Sequence, residues 1–291
     1  MSFHPKKMFA WALTSVLFCS AVAHFDYNHV YEWTGVCNTG RRQSPVDLYS
    51  AARIDRSLPG LTFTNYNFNG PLNVTDNGHS VALSGFSSWA KAPAISGAGL
   101  SGTYVLDGIH FHWAHQAVLG GSEHKINGRS YSAEMHMVHI KQGLTMDQAI
   151  LRPDGLSVVG VFLALSPSAP ELNAINVAFA ESYVPGRTYK INVNPMTLIP
   201  ANSQAFYRYE GSLTTPDCNE AVQWINIAEP IPITQNQLDL LRNVRNDELQ
   251  TMTNDRLTQP LNGRTVRFRP AGRATSPGFM FSYLASGRVR R

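Results

Sequence analysis

The sequence predicts one sheet-dominated mixed α+β domain. Three observations carry that expectation: nine short alternating or β-branched runs, only three helical candidates, and no linker, repeat or low-complexity tract between them. The runs are Leu61–Tyr66, Ser80–Leu83, Thr103–Trp113, Ser132–Lys141, Ser157–Leu165, Thr188–Val193, Tyr207–Gly211, Ala221–Ala228 and Thr265–Arg269. A period of two in hydrophobicity suits a half-buried strand, whose successive side chains point to opposite faces. The helical candidates are Thr145–Ile150, Pro170–Val177 and Thr234–Arg245; in the last, Leu238, Leu240, Leu241 and Val244 share one face. The connecting stretches, rich in Gly, Asn and Ser, are short enough for a single compact body.

Composition narrows the function class. With 43% apolar and 15% charged residues in 291, the chain has enough apolar mass for a core and too little charge density for intrinsic disorder. Its 22 Gly and 17 Pro follow no three-residue period, which excludes a collagen-like rod. The net charge is +4, but Lys and Arg are scattered rather than gathered into a stripe that tracks phosphates, so nucleic acid is not an expected partner.

Lys6 and Lys7 precede an apolar run from Met8 to Ala23 that ends in the small residues Ala21, Val22 and Ala23, so residues 1–23 read as a secretory signal. The run is interrupted by Thr14, Ser15 and Ser20 and falls short of the ~20 apolar residues of a spanning helix, so no membrane anchor is expected. Cleavage removes Cys19 and leaves Cys37 and Cys218 in an oxidising compartment, either bridged or as two buried thiols. Asn73-Val74-Thr75 is an acceptor sequence for N-glycosylation at Asn73. The expected division is a leader (1–23), a catalytic domain (24–284) and a basic tail (285–291) without a lipid-anchor signal.

Five of the ten histidines fall between residues 110 and 136. His110 and His112 are two apart in a strand-like run, so both imidazoles point to one face while Phe111 points to the other. His136 lies in the next run and completes a three-nitrogen site if the two strands are neighbours. Three histidines around a metal leave a fourth position open, the arrangement of catalytic rather than structural zinc. The run nearly matches the H-x-H-x-D-H element of dinuclear hydrolases, but Ala114 stands where their Asp is required. No Glu soon after His112 supports an oxygenase iron site either, so mononuclear zinc is favoured.

These residues belong to a longer series. The blocks are Gln43-Ser44-Pro45-Val46-Asp47, Asn77-Gly78-His79-Ser80, His110-Phe111-His112-Trp113, Gly121-Ser122-Glu123-His124, Ala133-Glu134-Met135-His136-Met137-Val138-His139, Gly211-Ser212-Leu213-Thr214-Thr215-Pro216 and Gln259-Pro260-Leu261-Asn262. In this order, across most of residues 25–270, the chain resembles the α-class carbonic anhydrases. The resemblance implies a twisted, mostly antiparallel central sheet of about ten strands with short peripheral helices, and a disulfide between Cys37 and Cys218. It further implies a secreted zinc lyase that hydrates CO₂ reversibly to bicarbonate and a proton, through attack by zinc-bound hydroxide and histidine proton shuttling.

By the same resemblance His110, His112 and His136 hold one Zn²⁺, and their neutrality leaves its charge free to acidify water. Thr214 donates to Glu123 and so aims the nucleophile. Glu134 orients His136 from two positions away on the same strand face, and His124 and His139 serve as buried hydrogen-bonding groups. The CO₂ pocket is implied at Val138, Val158, Leu213, Thr215, Val222 and Trp224. His79 matches the proton shuttle, its unperturbed pKa of ≈ 6.5 suiting transfer near neutrality, with Tyr27 and Asn77 ordering the intervening water. His115 receives no role, and His24 and His29 read as solvated.

The chain departs from the family pattern at four places. Gly108 replaces the Gln that usually orients the first histidine, a loss that loosens His110 and lowers metal affinity unless water or the adjacent Asp107 substitutes. Asp217 follows Pro216 where a second proline is common, which removes the sequence basis for the prolyl turn, often cis, at that point. Ala114 replaces a common Gly, and the loop between His112 and Glu123 carries one extra residue. Two further readings are a non-catalytic secreted relative serving as a matrix or binding module, and a zinc esterase activity. Retention of all three histidines with Thr214, Glu123 and His79 favours the CO₂ reaction.

Overall fold

The paired histidine strands lie in the middle of the sheet and set the frame for everything else. In the computed structural model, which describes residues 25–49, 52–115, 120–181 and 185–272, the strands are β1 (Ala52–Ile54), β2 (Leu61–Thr64), β3 (Gly70–Asp76), β4 (Val81–Ser84), β5 (Ala94–Gly97), β6 (Tyr104–Trp113), β7 (Ala133–Lys141), β8 (Leu156–Leu165), β9 (Thr188–Val193), β10 (Phe206–Gly211), β11 (Val222–Ile233) and β12 (Val266–Arg269). Ten of them follow one path, β1-β12-β10-β11-β8-β7-β6-β4-β3-β9, and β5 joins β2 to β6 at the side. The β1/β12 and β8/β11 pairs are parallel and the other pairs antiparallel. The expected sheet-dominated single domain is therefore what the chain forms. The leader, His24, Cys19 and the tail 285–291 fall outside the described residues.

All nine anticipated runs are strands, but three strands escape the pattern. β3 begins Gly70-Pro71, and β1 and β5 are too short to display a period. β11 continues through Pro230 and Pro232, beyond the run ending at Ala228; its register against β8 shifts between Ile227 and Ile231 and then resumes.

The helices are short and begin where side chains can satisfy the free N–H groups. α1 spans Val36–Thr39 and was not anticipated. α2 (Met146–Ala149) and α4 (Gln235–Arg242) open on capping boxes, Thr145 with Gln148 and Thr234 with Gln237. The Pro170–Val177 candidate divides into a 3₁₀ turn, Pro170–Leu172, and α3, Asn173–Glu181. No helix among the described residues is long and apolar enough to cross a membrane.

Strand parity sorts the side chains into two cores. On the back face Phe111, Met135, Val159 and Ile225 pack with Ile175 and Phe179 of α3, and the Phe111 and Phe179 rings meet edge-on at 5.0 Å. On the front face Val158, Phe162, Tyr209 and Trp224 pack around the foot of the histidine site. A disulfide joins Cys37 of α1 to Cys218, closing a separation of 181 residues and tying the loop after β10 to the N-terminal segment. By chain entropy a closure of this length contributes up to about 5 kcal/mol.

His139 lies on the back face, as its parity requires. Its Nδ1–H donates to the Ser157 carbonyl at 3.2 Å, so Nε2 is left to accept from the Tyr66 hydroxyl. Burial pushes this imidazole down to about 3, against the partial opposition of hydrogen bonding to the Ser157 and Met137 backbone. A histidine held neutral in the fold binds no proton at a pH where the unfolded chain binds one. Its stabilising effect is thus complete above pH ~6.5 and declines as the pH falls toward 3, by up to about 1.4 kcal/mol per unit. Urea titrations of metal-free protein at pH 7, 6 and 5 are expected to show this decline, with a shallower slope in His139→Gln. Equal slopes in the two proteins would remove His139 from the acid response.

Candidate metal centre

The β6/β7 register places His110 directly opposite His136, and His112 opposite Glu134. Because His110 and His112 are two apart on β6, three imidazoles converge on the front face. Their ring centroids are 4.4 to 5.3 Å apart, and one nitrogen from each lies within 4.8 Å of the others.

The hydrogen bonds of the outer nitrogens determine which inner ones are free. His112 Nδ1–H donates to the Asn254 carbonyl at 2.7 Å, so Nε2 carries a lone pair. That atom is fully buried and has no partner, an expensive state for a polar group unless something electrophilic occupies the point it faces. His136 Nε2–H donates to Glu134 Oε1 at 2.9 Å, which leaves Nδ1 turned inward. Burial drives His112 well below the ordinary imidazole range, and the neighbouring His136 and His110 add to the effect. Burial, with His136 beside it, takes His110 down to about 3, and burial lowers His136 despite the opposing influence of Glu134. Three neutral nitrogens around one point are a donor set that zinc accepts.

Glu134 anchors this arrangement. Its Oε1 accepts from His136, from His124 Nδ1 at 2.7 Å and from Asn226 Nδ2 at 3.3 Å, and its Oε2 accepts the His124 backbone N–H at 2.8 Å. Burial alone would raise this carboxyl, yet its histidine partners hold it well below the usual carboxylate range. A Cβ on residue 160 would come within 3.0 Å of Oε1, so Gly160 on β8 makes room for the contact. His124, Glu134 and His136 could also surround an ion by distance, but their facing groups are already engaged with one another. The chain of contacts continues from His124 Nε2 to the Tyr209 hydroxyl at 2.6 Å and on to Ser44 Oγ at 2.8 Å.

Glu123 sits on the other side of the histidines, its carboxylate 3.5 Å from His112 Nδ1 and 3.8 Å from His136 Nδ1. Burial pushes it well up, while the Arg256 N–H, donating to Oε1 at 2.9 Å, and the Thr214 hydroxyl act against the rise. Its Oε2 has no partner at full hydrogen-bond distance.

The three histidines form the floor of a cleft of about 260 Å³. Val138, Val158 and Trp224 lie side by side across β7, β8 and β11 in register, and with Leu213 they make an apolar wall. Thr214 and Thr215 line the cleft, as do Tyr27, Asn77 and His79. The His79 ring stacks on Phe25, centroids 4.0 Å apart and planes 16° from parallel.

Val222 faces the same side as Trp224 and is fully buried in the front core, where Leu156 and Gly211 flank it in the sheet. Two expectations need correction. Asp107 does not replace the missing amide at Gly108. It sits where the β6/β7 register shifts and lines a separate surface groove, and the His110 ring makes no hydrogen bond to a described residue. The peptide between Pro216 and Asp217 is cis despite the absence of a second proline. The disulfide between Cys37 and Cys218 is as expected.

Sequence reasoning passed over Phe25, Asn226, Asn254 and Arg256. All act across the fold from the segments they serve, and no spacing rule joins them to the histidines; the cis Ser44–Pro45 loop likewise meets Arg256 from 212 residues away.

A triad of neutral imidazoles, His112 and His136 buried and His110 half-buried, beside an apolar wall defines a mononuclear zinc enzyme acting on a small substrate. Comparison with known proteins gives the family. The model of eukaryotic-type carbonic anhydrases matches residues 28–270. A Caenorhabditis elegans protein named "Putative carbonic anhydrase 5" is 42% identical over 245 residues, 82% of this chain and 78% of the relative. Human carbonic anhydrase 7 is 37% identical over 237 residues, 78% of this chain and 88% of the relative. The chain belongs to the eukaryotic-type, α-class carbonic anhydrase family, whose members are zinc enzymes.

Replacing Glu134 by Gln is expected to weaken zinc binding by about 10- to 100-fold, because the acceptor that fixes His136 loses its charge. Competition against a chromophoric chelator measures this, and an unchanged affinity would mean that Glu134 does not act on the ligand.

Proposed function

We propose that this chain catalyses the reversible hydration of CO₂ to bicarbonate and a proton, with one Zn²⁺ held by His110, His112 and His136. The observation that carries the reading is the partnerless, fully buried Nε2 of His112, aimed with two other neutral imidazoles at one point beside an apolar wall. Zinc on neutral ligands lowers the pKa of bound water to ≈ 7 and so supplies hydroxide near neutral pH.

The remaining work falls to side chains. Val138, Val158, Leu213 and Trp224 give uncharged CO₂ a niche where it displaces no well-bonded water. Thr215 borders the same niche. Thr214 gives its hydroxyl proton toward Glu123, which leaves its oxygen as the acceptor that orients the nucleophile. Glu123 is fixed for this by the Arg256 N–H. Glu134 and the Asn254 carbonyl keep His136 and His112 in the tautomers that turn a lone pair inward.

His79 carries the product proton from the cleft to buffer, with Tyr27 and Asn77 beside the path. Its place on the rim, against Phe25, supports that role. Secretion is part of the same reading, supported by the leader-like residues 1–23 and by the Cys37–Cys218 disulfide, a bond of oxidising compartments. Asn73 is half-buried on β3, opposite Ser84 and Lys190, and is the proposed glycan site.

Stopped-flow CO₂ hydration by the purified chain tests the proposal. Activity is expected to vanish on chelation, return with added zinc and be lost in His112→Ala, with ester cleavage followed in parallel as a weaker reaction. Activity that survives chelation, or a zinc-loaded protein that cleaves esters but does not hydrate CO₂, would overturn it.

A further inference from the structure

One buried side chain outside the assigned set links the metal site to the proton path. Asn254 is fully buried in the irregular segment running beside the end of β6. Its carbonyl accepts from His112 Nδ1–H, as described above, and its backbone N–H donates to the Trp113 carbonyl at 3.0 Å. The side chain has a different set of partners. Its Oδ1 accepts the Trp113 N–H at 2.7 Å, and its Nδ2 donates to the Phe111 carbonyl at 2.9 Å and to the His79 carbonyl at 2.9 Å. One amide thus grips the backbone on both sides of His112 and, with its second N–H, the backbone of His79.

Asn77 Oδ1 accepts the His79 N–H at 3.0 Å and the Ser80 N–H at 2.7 Å, which shapes the turn carrying His79 from within. Gly78 takes a φ of +80°, a conformation with few intrinsic restraints. Two groups fasten this turn to β6: the Asn254 amide at His79, and the Ser80 hydroxyl, whose oxygen accepts the Phe111 N–H at 3.1 Å. Ser80 Oγ also donates to the Phe111 carbonyl, at 2.6 Å, so that carbonyl keeps a partner if Asn254 changes, whereas the His79 carbonyl loses the partner that links it to the metal strand.

Resting on the CO₂ hydration reading, we propose that Asn254 is a positioning residue for proton transfer: its side-chain amide holds the His79 backbone at a fixed distance from the strand that bears His110 and His112. A shuttle must keep its ring within reach of a short water chain, and small displacements at such a site cost rate steeply. The chemical step at the metal does not require His79, so the clamp's hold on His79 shows in kcat, whereas its hold on the backbone around His112 shows in kcat/KM.

Asn254→Asp is nearly isosteric and still accepts the Trp113 N–H, but it cannot make both N–H donations. In dilute buffer its kcat for CO₂ hydration is expected to fall about 5- to 10-fold. Millimolar imidazole should restore most of that loss in kcat and leave unchanged any fall in kcat/KM, which reports the backbone around His112 that the same amide holds. In the His79→Ala background the same substitution should add almost no further loss in kcat. In the metal-free protein, the His79 imidazole resonances should shift in Asn254→Asp. Asn254→Ser, which shortens the side chain without adding charge, is the second variant and should give the same pattern.

Equal falls in kcat and kcat/KM that imidazole does not relieve, a full additional loss in the His79→Ala background, or failure of both variants to fold would overturn the proposal, the last by making Asn254 purely structural. The parent reading is checked in the same series by wild type and His79→Ala. An inactive zinc-loaded wild type, or a His79→Ala protein with unchanged kcat in dilute buffer, would count against the reading itself.

Discussion

Three uncharged imidazoles forced to face one point are the constraint on which the rest of the site depends. Burial holds each of them neutral; Asn254 directs His112, Glu134 directs His136, and the register of β6 against β7 sets His110 opposite His136. Buried nitrogens with lone pairs turned toward each other gain nothing by themselves. A divalent cation converts that cost into binding energy, and neutral ligands leave its charge available for chemistry.

Around that point the sheet divides the labour by parity. Front-face positions of β6 and β7 carry the ligands and Glu134, and Val138 of β7 with Val158 of β8 and Trp224 of β11 makes the apolar wall in lateral register. Back-face positions of the same strands, Phe111 and Met135 among them, pack into the larger core. A one-residue slip in β7 would turn His136 into that core and bring Met135 or Met137 to the cleft, so the apolar packing behind the sheet also enforces the metal geometry. The loop after β10 is secured by mutual Ser44 and Ser212 hydrogen bonds and by the disulfide, which fixes Leu213, Thr214 and Thr215 over the cleft.

Much of the site was legible because strand chemistry is local. The H-x-H spacing in a β-run gives a shared face, and a third histidine in the following run gives the neighbour strand. What stayed hidden depends on long-range contact. Asn254 and Arg256 reach His112 and Glu123 across more than a hundred residues, and nothing about either residue type signals it. Strands β1 and β5 are too brief to show a period, and β3 opens on Gly-Pro. Of the two substitutes for the absent amide, water or Asp107, the carboxylate is turned to another groove by the register shift beside it.

Zinc K-edge absorption on the loaded protein addresses the central claim directly. Three imidazole nitrogens and one additional oxygen at ~2.0–2.1 Å, with no sulfur, are the result this account predicts. A first shell with fewer than three imidazoles, or one closed by a fourth protein side chain, would contradict it.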